Sequence, residues 1–122
     1  MNAKRVCKKT SQAQHFIMRN SLYVGLGCPD NWQTEMEITI QDVTVVADAL
    51  YKKEGRYHFI EVDYTQKMSV NKEKIERYKK LAEFTKLPPK LIWITTTDYR
   101  RKQLLSLCKG LDVQVFTAED FH

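Results

Sequence analysis

From Trp32 to Ile40 apolar and polar positions alternate, with Trp32, Thr34, Met36, Ile38 and Ile40 on one side. That period of two predicts a strand, and its acidic residues leave it partly exposed. Val43–Tyr51 is richer in β-branched residues and predicts a firmer strand. Glu54-Gly55 has the composition of a hairpin turn, and Tyr57–Tyr64 runs back as a third strand filled by Phe59, Ile60 and Val62. Beyond Tyr64 the period lengthens to about three and a half. Ser69 is placed to cap a helix whose stripe is Ile75, Tyr78, Leu81 and Ala82, extending to Phe84 and ending before Leu87-Pro88-Pro89. Lys90–Thr97 has no charge after Lys90 and predicts an inner strand. Asp98 is placed to cap a second helix running to about Lys109, with Leu104, Leu105, Leu107 and Cys108 inward and Gly110 at its end. Val113–Phe116 is a last short strand, and Thr117 opens a closing helical turn.

Ahead of these elements, residues 1–10 are polar and basic without a period, as expected of a mobile arm or the remnant of a longer helix. Ser11–Met18 turns helical around Phe16 and Ile17, and Asn20 or Ser21 can cap a further turn holding Leu22, Tyr23 and Leu26. Gly25 and Gly27 loosen its end, and Gly27–Asn31 is a loop. The order is helix, three strands, helix, strand, helix, strand. A hairpin demands antiparallel pairing and strand-helix-strand crossovers demand parallel pairing. The expected fold is therefore α/β, a mixed sheet flanked by helices, as one domain over 11–122 behind a basic arm over 1–10.

The 122 residues fit one core and leave no room for a second. With 43% hydrophobic and 29% charged residues, the chain falls among ordinary globular proteins rather than disordered or membrane ones. No apolar run approaches the roughly 18 residues needed to span a bilayer, and the first residues lack the apolar stretch of a signal peptide, so the expected location is cytoplasmic. Cys7, Cys28 and Cys108 are far apart, and neither they nor His15, His58 and His122 have ligand spacing, so no zinc site is expected. Free thiols in a reducing compartment follow, with Cys108 in the core. The net charge of +5 is uneven, because Lys4, Arg5, Lys8, Lys9 and Arg19 all precede the first acidic residue, Asp30. Further basic groups lie on Lys72, Lys74, Arg77, Lys79 and Lys80, and on Arg100, Arg101 and Lys102, with Glu73 and Glu76 diluting the middle cluster. Such clusters suit a polyanion, since each cation that neutralises a phosphate releases counterions.

The candidate chemistry is acidic. Asp48 lies on the second strand and Glu61-Val62-Asp63 on the third, at nearly equal distances from the Glu54-Gly55 turn, so the carboxylates meet at the open end of the hairpin. Alternation puts Glu61 and Asp63 on one face and Ile60 and Val62 on the other. Such a group can hold Mg²⁺, which takes one or two carboxylates together with water and phosphate oxygens. An acidic residue before a hairpin, a Glu-x-basic triplet on the next strand and then a helix resembles the restriction-endonuclease-like, or PD-(D/E)XK, nucleases. Ala47-Asp48-Ala49 matches the first element and Glu61-Val62-Asp63 the second. Lys74 and Tyr78, four apart on one helical face, resemble the glutamine and tyrosine that some RecB-like members carry, and Glu35 corresponds to an earlier acidic residue.

A closer resemblance, covering most of the chain, is to the C-terminal domain of the replication-relaxation family, plasmid and mobile-element proteins that usually carry an N-terminal winged helix. It rests on His15 with Asn20-Ser21-Leu22-Tyr23-Val24, Trp32–Glu35, Ala47-Asp48-Ala49, Phe59-Ile60-Glu61-Val62-Asp63 and Lys74-Ile75-Glu76-Arg77-Tyr78. Alanine stands where proline is usual before Asp48, and no winged-helix sequence precedes residue 10. The resemblance implies association with plasmid DNA in replication or transfer control, on a nuclease fold whose triplet ends in aspartate.

Three functional readings follow. In phosphodiester hydrolysis a lysine beside the metal positions water and offsets developing charge, and Asp63 puts a third negative group there instead. The leading expectation is therefore a DNA-associated module without cleavage and without a cofactor. It would contact phosphates through Lys4, Arg5, Lys8, Lys9, Lys72, Lys79, Lys80, Arg100, Arg101 and Lys102. The second is a Mg²⁺-dependent nuclease using Asp48, Glu61 and Asp63, with the amine supplied by Lys67 or Lys74. The third is a dimerisation module, since an exposed sheet edge can pair two copies. A purely architectural role for the acids is pairing with Lys74, Arg77 or Lys67 to fix the helix to the strand. Tyr78, Trp32 and Trp93 are expected as packing residues. A homodimer and DNA are the expected partners, with no membrane and no small-molecule substrate.

Overall fold

In the computed structural model, which describes residues 2–6 and 13–121, six strands lie side by side in chain order. They are β1 (Asn2–Arg5), β2 (Gln33–Ile40), β3 (Val43–Lys53), β4 (Arg56–Val62), β5 (Lys90–Thr95) and β6 (Asp112–Thr117). The helices are α1 (Ala13–Gly25), α2 (Met68–Glu83) and α3 (Asp98–Leu107), and a 3-10 turn, Ala118–Phe121, ends the described chain. β1 to β4 pair antiparallel, while β4, β5 and β6 pair parallel through the crossover helices α2 and α3. The mixed α/β sheet expected from the order of elements is present.

Each face of the sheet has its own core. Ile75, Tyr78 and Leu81 of α2 and Leu104 of α3, followed by Cys108, pack with Ile38, Val45, Phe59, Leu91 and Trp93. Met18 and Leu22 of α1 pack with Ala49, Ile60, Val62, Ile92 and Ile94 on the other side. β4 and β5 are thus covered on both faces, which is why Phe59-Ile60-Glu61-Val62 and Leu91-Ile92-Trp93-Ile94 are near-continuous apolar runs rather than alternating ones. The β3–β4 hairpin turns at Glu54 (φ 54°) and Gly55 (φ 78°), the two positive angles that match the twist of a tight hairpin. Burial pushes the Cys108 thiol up to about 12, leaving it an inert core side chain.

Several local expectations are corrected. Residues 2–5 are not an arm or a helix remnant but an edge strand, in register with β2 from Asn2↔Thr39 to Arg5↔Met36. The edge of β2 offers unpaired backbone groups, and satisfying them outweighs the weak strand propensity of Asn-Ala-Lys-Arg. All four residues are exposed, so no apolar period marks them. The rest of the expected arm, residues 7–10, lies outside the described residues, as do Ser11 and Gln12. α1 runs unbroken past Asn20 and Ser21, because His15, Met18 and Leu22 form one buried stripe. The cap of α2 is Lys67, with Ser69 inside the helix, and the cap of α3 is Thr97, whose hydroxyl accepts from the Arg100 N–H at 3.2 Å. No helix among the described residues is long and apolar enough to cross a membrane.

The closing turn seats Phe121 beside Phe116 and directly against Gly25, where a β-carbon would overlap the Phe121 ring. Gly25→Ala is expected to destabilise the fold by about 1 kcal/mol despite the better helix propensity of alanine, because the ring must move. Urea unfolding of the single variant and of Gly25→Ala in a Phe121→Ala background checks this. Without the phenyl ring, the alanine should cost nothing.

Candidate functional site

Alternation would put Ala47 and Ala49 of β3 on the same face, yet Ala47 belongs to the core under α2 and Ala49 to the core under α1. The strand changes phase at Asp48, opposite Glu35 of β2, which takes a positive φ of 55° and is skipped in the regular pairing between Thr34↔Ala49 and Met36↔Ala47. The β3–β4 ladder runs from the hairpin turn only as far as Ala49↔Ile60. Beyond it the Val62 N–H donates to the Asp48 carboxylate at 2.7 Å instead of to a backbone carbonyl. Asp48 therefore bridges the point where the two strands part, and His15 Nε2 of α1 stands 3.5 Å from its other oxygen.

Glu61 lies on the α2 side of β4 and is 1% exposed. The Lys74 ammonium is 2.5 Å from Oε1, and the Tyr78 hydroxyl donates to Oε2 at 2.5 Å. Lys74 and Tyr78 are one turn apart on α2, so a single helical face delivers both donors. Burial pulls the Lys74 ammonium down, but the charges of Glu61 and Asp48 outweigh it and hold Lys74 above its ordinary value. Burial, and then the Glu61 charge, push the Tyr78 phenol well above 10. At neutral pH the tyrosine keeps its proton and remains a donor.

Asp63, 0% exposed, follows β4 and shares the α2 face with Glu61. Its oxygens accept from Thr95 Oγ1 at 2.6 Å, Asn71 Nδ2 at 3.0 Å, and Arg100 Nε and Nη2 at 2.7 and 2.9 Å. The same guanidinium also donates to the Gln66 carbonyl at 2.5 Å, closing the loop between β4 and α2. Burial pushes the Asp63 carboxyl up, but the hydrogen bonds from Arg100, Thr95 and Asn71 and the Arg100 charge together hold it below its ordinary value.

The three acids named from the sequence are brought to one end of β4, where Asp48 meets His15 of α1, Glu61 meets Lys74 and Tyr78 of α2, and Asp63 is shared by Asn71 of α2, Thr95 of β5 and Arg100 of α3. Among the described residues no group of three or more His, Cys, Asp or Glu side chains is placed to hold a metal ion. With both Asp63 oxygens on Arg100 and all three carboxylates at most 2% exposed, the arrangement does not fit a divalent cation that must also receive phosphate.

A model of the replication-relaxation family matches residues 1–90, about three quarters of the chain. The chain belongs to the replication-relaxation family. No curated protein matches it. The matched segment ends as β5 begins, so Asp48, Glu61, Asp63, Lys74 and Tyr78 lie in the part shared with replication-relaxation proteins, whereas Thr95 and Arg100 lie beyond it.

Among the described residues of this replication-relaxation chain, five of the eight basic positions expected to meet phosphate are ion-paired. Lys4 pairs with Glu37 at 3.1 Å, Lys79 with Glu76 at 3.6 Å, and Arg101 and Lys102 both with Asp98 at 2.8 and 3.2 Å. Arg100 is spent on Asp63. Arg5 reaches Thr34, Lys72 and Lys80 stand exposed on α2, and Lys8 and Lys9 lie outside the described residues. The sequence reading named His15 only within the family resemblance, and it missed Asn71, Thr95 and the inward role of Arg100. Asn71, Lys74 and Tyr78 are spaced as one helical face, a signal that was available; Arg100, 37 residues from Asp63, left none.

Breaking the Asp63–Arg100 pair leaves a charge buried without its counter-ion. Arg100→Ala is expected to cost about 3 kcal/mol at pH 7. Because the folded-state value of Asp63 is lowered, the pair stabilises fully above the ordinary value of 3.8 and loses its contribution as pH falls through the lowered value. Urea unfolding across pH 2 to 8 should therefore show the deficit of the variant constant at neutral pH and shrinking below about pH 4. A deficit that grows on acidification would contradict the pairing.

Proposed function

We propose that this chain is a DNA-associated accessory module of a plasmid or mobile element, acting in replication or transfer control on a restriction-endonuclease-like scaffold that does not cleave. Family membership supports the first part. The scaffold reading is supported by the hairpin that carries Asp48 and Glu61 to the point where its strands part, followed by a helix and a parallel inner strand. The observation that carries the absence of cleavage is the capture of Asp63 by Arg100. Hydrolysis of a phosphodiester needs carboxylates open to metal, water and phosphate, with a cation near the attacking water. Here the cation neutralises the carboxylate itself, inside the protein.

One observation favours a second reading, a nuclease. Lys74 stands against Glu61, supplying from α2 the amine that position 63 lacks. The two readings separate in one set of measurements: calorimetric titration with Mg²⁺ and Mn²⁺, cleavage of plasmid and single-stranded DNA, and DNA affinity at low salt, each with Glu61→Gln as control. The expected outcome is salt-dependent DNA binding without metal uptake or cleavage, unchanged in the variant. Cleavage that requires Glu61 would establish the nuclease. No DNA affinity at low salt, with a stable dimer in solution, would leave the chain a pairing module instead.

A further inference from the structure

The two edges of the sheet are built differently. β1 presents Asn2, Ala3, Lys4 and Arg5, all exposed and two of them charged, and a lysine on an edge discourages a further strand from joining. β6 carries no charge and no proline from Val113 to Thr117, and its register with β5 is unbroken from Lys90↔Asp112 to Thr95↔Thr117. The ladder shows which of its backbone groups face outward. The Asp63 N–H donates to the Ile94 carbonyl at 2.8 Å, so Ile92 and Ile94 turn their backbone groups toward β4 while Leu91 and Trp93 turn theirs toward β6. Gln114 and Phe116 answer Trp93, which leaves the N–H and C=O groups of Val113, Val115 and Thr117 aimed away from the sheet. Thr117 agrees, since its N–H donates to the Asp120 carboxylate at 2.8 Å. Among the described residues no strand lies beyond β6, and no turn or loop takes up the N–H groups of Val113 and Val115. Val115 and Thr117 instead border an open cleft of about 540 Å³ together with Arg101, Glu119 and Asp120.

We infer that two copies of this chain pair through β6, antiparallel about a two-fold axis at Gln114, and join their sheets into one. Opposed residues in an antiparallel pair share a face, and the two-fold axis leaves faces unchanged, so it must pass between a residue and its own copy. Within β6 the available centres are Val113, Gln114 and Val115. With Val113 at the centre, Val115 would need the Leu111 N–H of the other copy, which the Cys108 carbonyl holds at 2.9 Å. With Val115 at the centre, Val113 would need the Thr117 N–H, which Asp120 holds. With Gln114 at the centre, Val113 and Val115 of each copy exchange backbone bonds with Val115 and Val113 of the other, and no competing acceptor or donor stands in the way. The side chains agree. The valines extend the core under α2 and α3, while Gln114 is exposed and meets its own copy on the opposite face. Lys109 before β6 and Glu119 after it are both exposed, so antiparallel pairing brings each lysine toward the glutamate of the other copy. That self-complementarity singles out a second copy over a foreign strand. The inference goes beyond the DNA-associated reading and does not depend on it.

Sedimentation equilibrium of the whole chain should show a monomer and a dimer in exchange. Gln114→Glu and Gln114→Lys each set like charges face to face at the axis, and each should weaken the dimer about tenfold. Mixed in equal amounts, the two variants should pair with each other at least as tightly as the wild type pairs with itself. Such rescue requires position 114 to meet its own copy, which mere damage to β6 would not produce. Opposed residues of a non-hydrogen-bonded antiparallel pair have Cα atoms about 4.5 Å apart, within reach of a disulfide. Gln114→Cys in a Cys7→Ser, Cys28→Ser background should therefore cross-link under mild oxidation, whereas Lys4→Cys on the β1 edge should not. A wild type that stays monomeric up to about 1 mM, a mixture no tighter than its components, or a dimer that Gln114→Cys does not lock overturns the inference, whatever the affinity for DNA proves to be.

Discussion

Three carboxylates buried where the β3–β4 ladder parts must each be matched by a donor, and that requirement sets the position of every helix. An unmatched ionised carboxylate inside a protein costs several kcal/mol, more than any single packing contact here can offset. Asp48 brings α1 in through His15, Glu61 brings α2 in through Lys74 and Tyr78, and Asp63 brings α3 in through Arg100. The apolar cores would allow each helix to slide or rotate on the sheet, since burial is non-directional. The polar contacts remove that freedom, because a bidentate guanidinium or a pair of donors to one carboxylate is satisfied in one geometry.

Much of the fold was legible because it follows from period and punctuation. The alternation in β2, the β-branched run of β3, Glu54-Gly55 and the lengthened period after Tyr64 located the elements to within a few residues, and the mixed sheet followed from their order. β1 was not legible, because a strand exposed on both faces has no apolar signature and exists only by virtue of the β2 edge. The positive φ of Glu35 was hidden for a similar reason. It answers to the phase change of β3 opposite it rather than to any preference of glutamate.

The acids of the site were legible as residues but not as a network. Asp48, Glu61 and Asp63 announce themselves by being charged within apolar strands, and their proximity follows from the hairpin. Lys74 on the helix after β4 was a named candidate partner, whereas His15 and Arg100 come from helices at separations that no local pattern encodes. Reading Arg100 as a phosphate contact was reasonable from Arg100-Arg101-Lys102 alone. The helix turns Arg101 and Lys102 toward Asp98 and solvent while Arg100 faces inward, so three consecutive cations have two different fates. Net charge overstates the positive charge left unpaired, since Lys4, Lys79, Arg101 and Lys102 each stand beside a carboxylate.

Asp63 and Arg100 also constrain each other as a pair. A lysine at position 63, the residue that phosphodiester chemistry would favour there, would put an ammonium within a pocket already holding a guanidinium, two buried like charges with only Thr95, Asn71 and the Gln66 carbonyl to receive them. At short range in a poorly screened interior that repulsion is worth several kcal/mol. An aspartate with no arginine opposite would be equally out of place, a buried anion with neutral donors alone. Asp63 at the end of β4 and the inward-facing Arg100 of α3 are therefore matched to each other, and with the Arg100 bond to the Gln66 carbonyl they form a clamp that fixes the loop after β4.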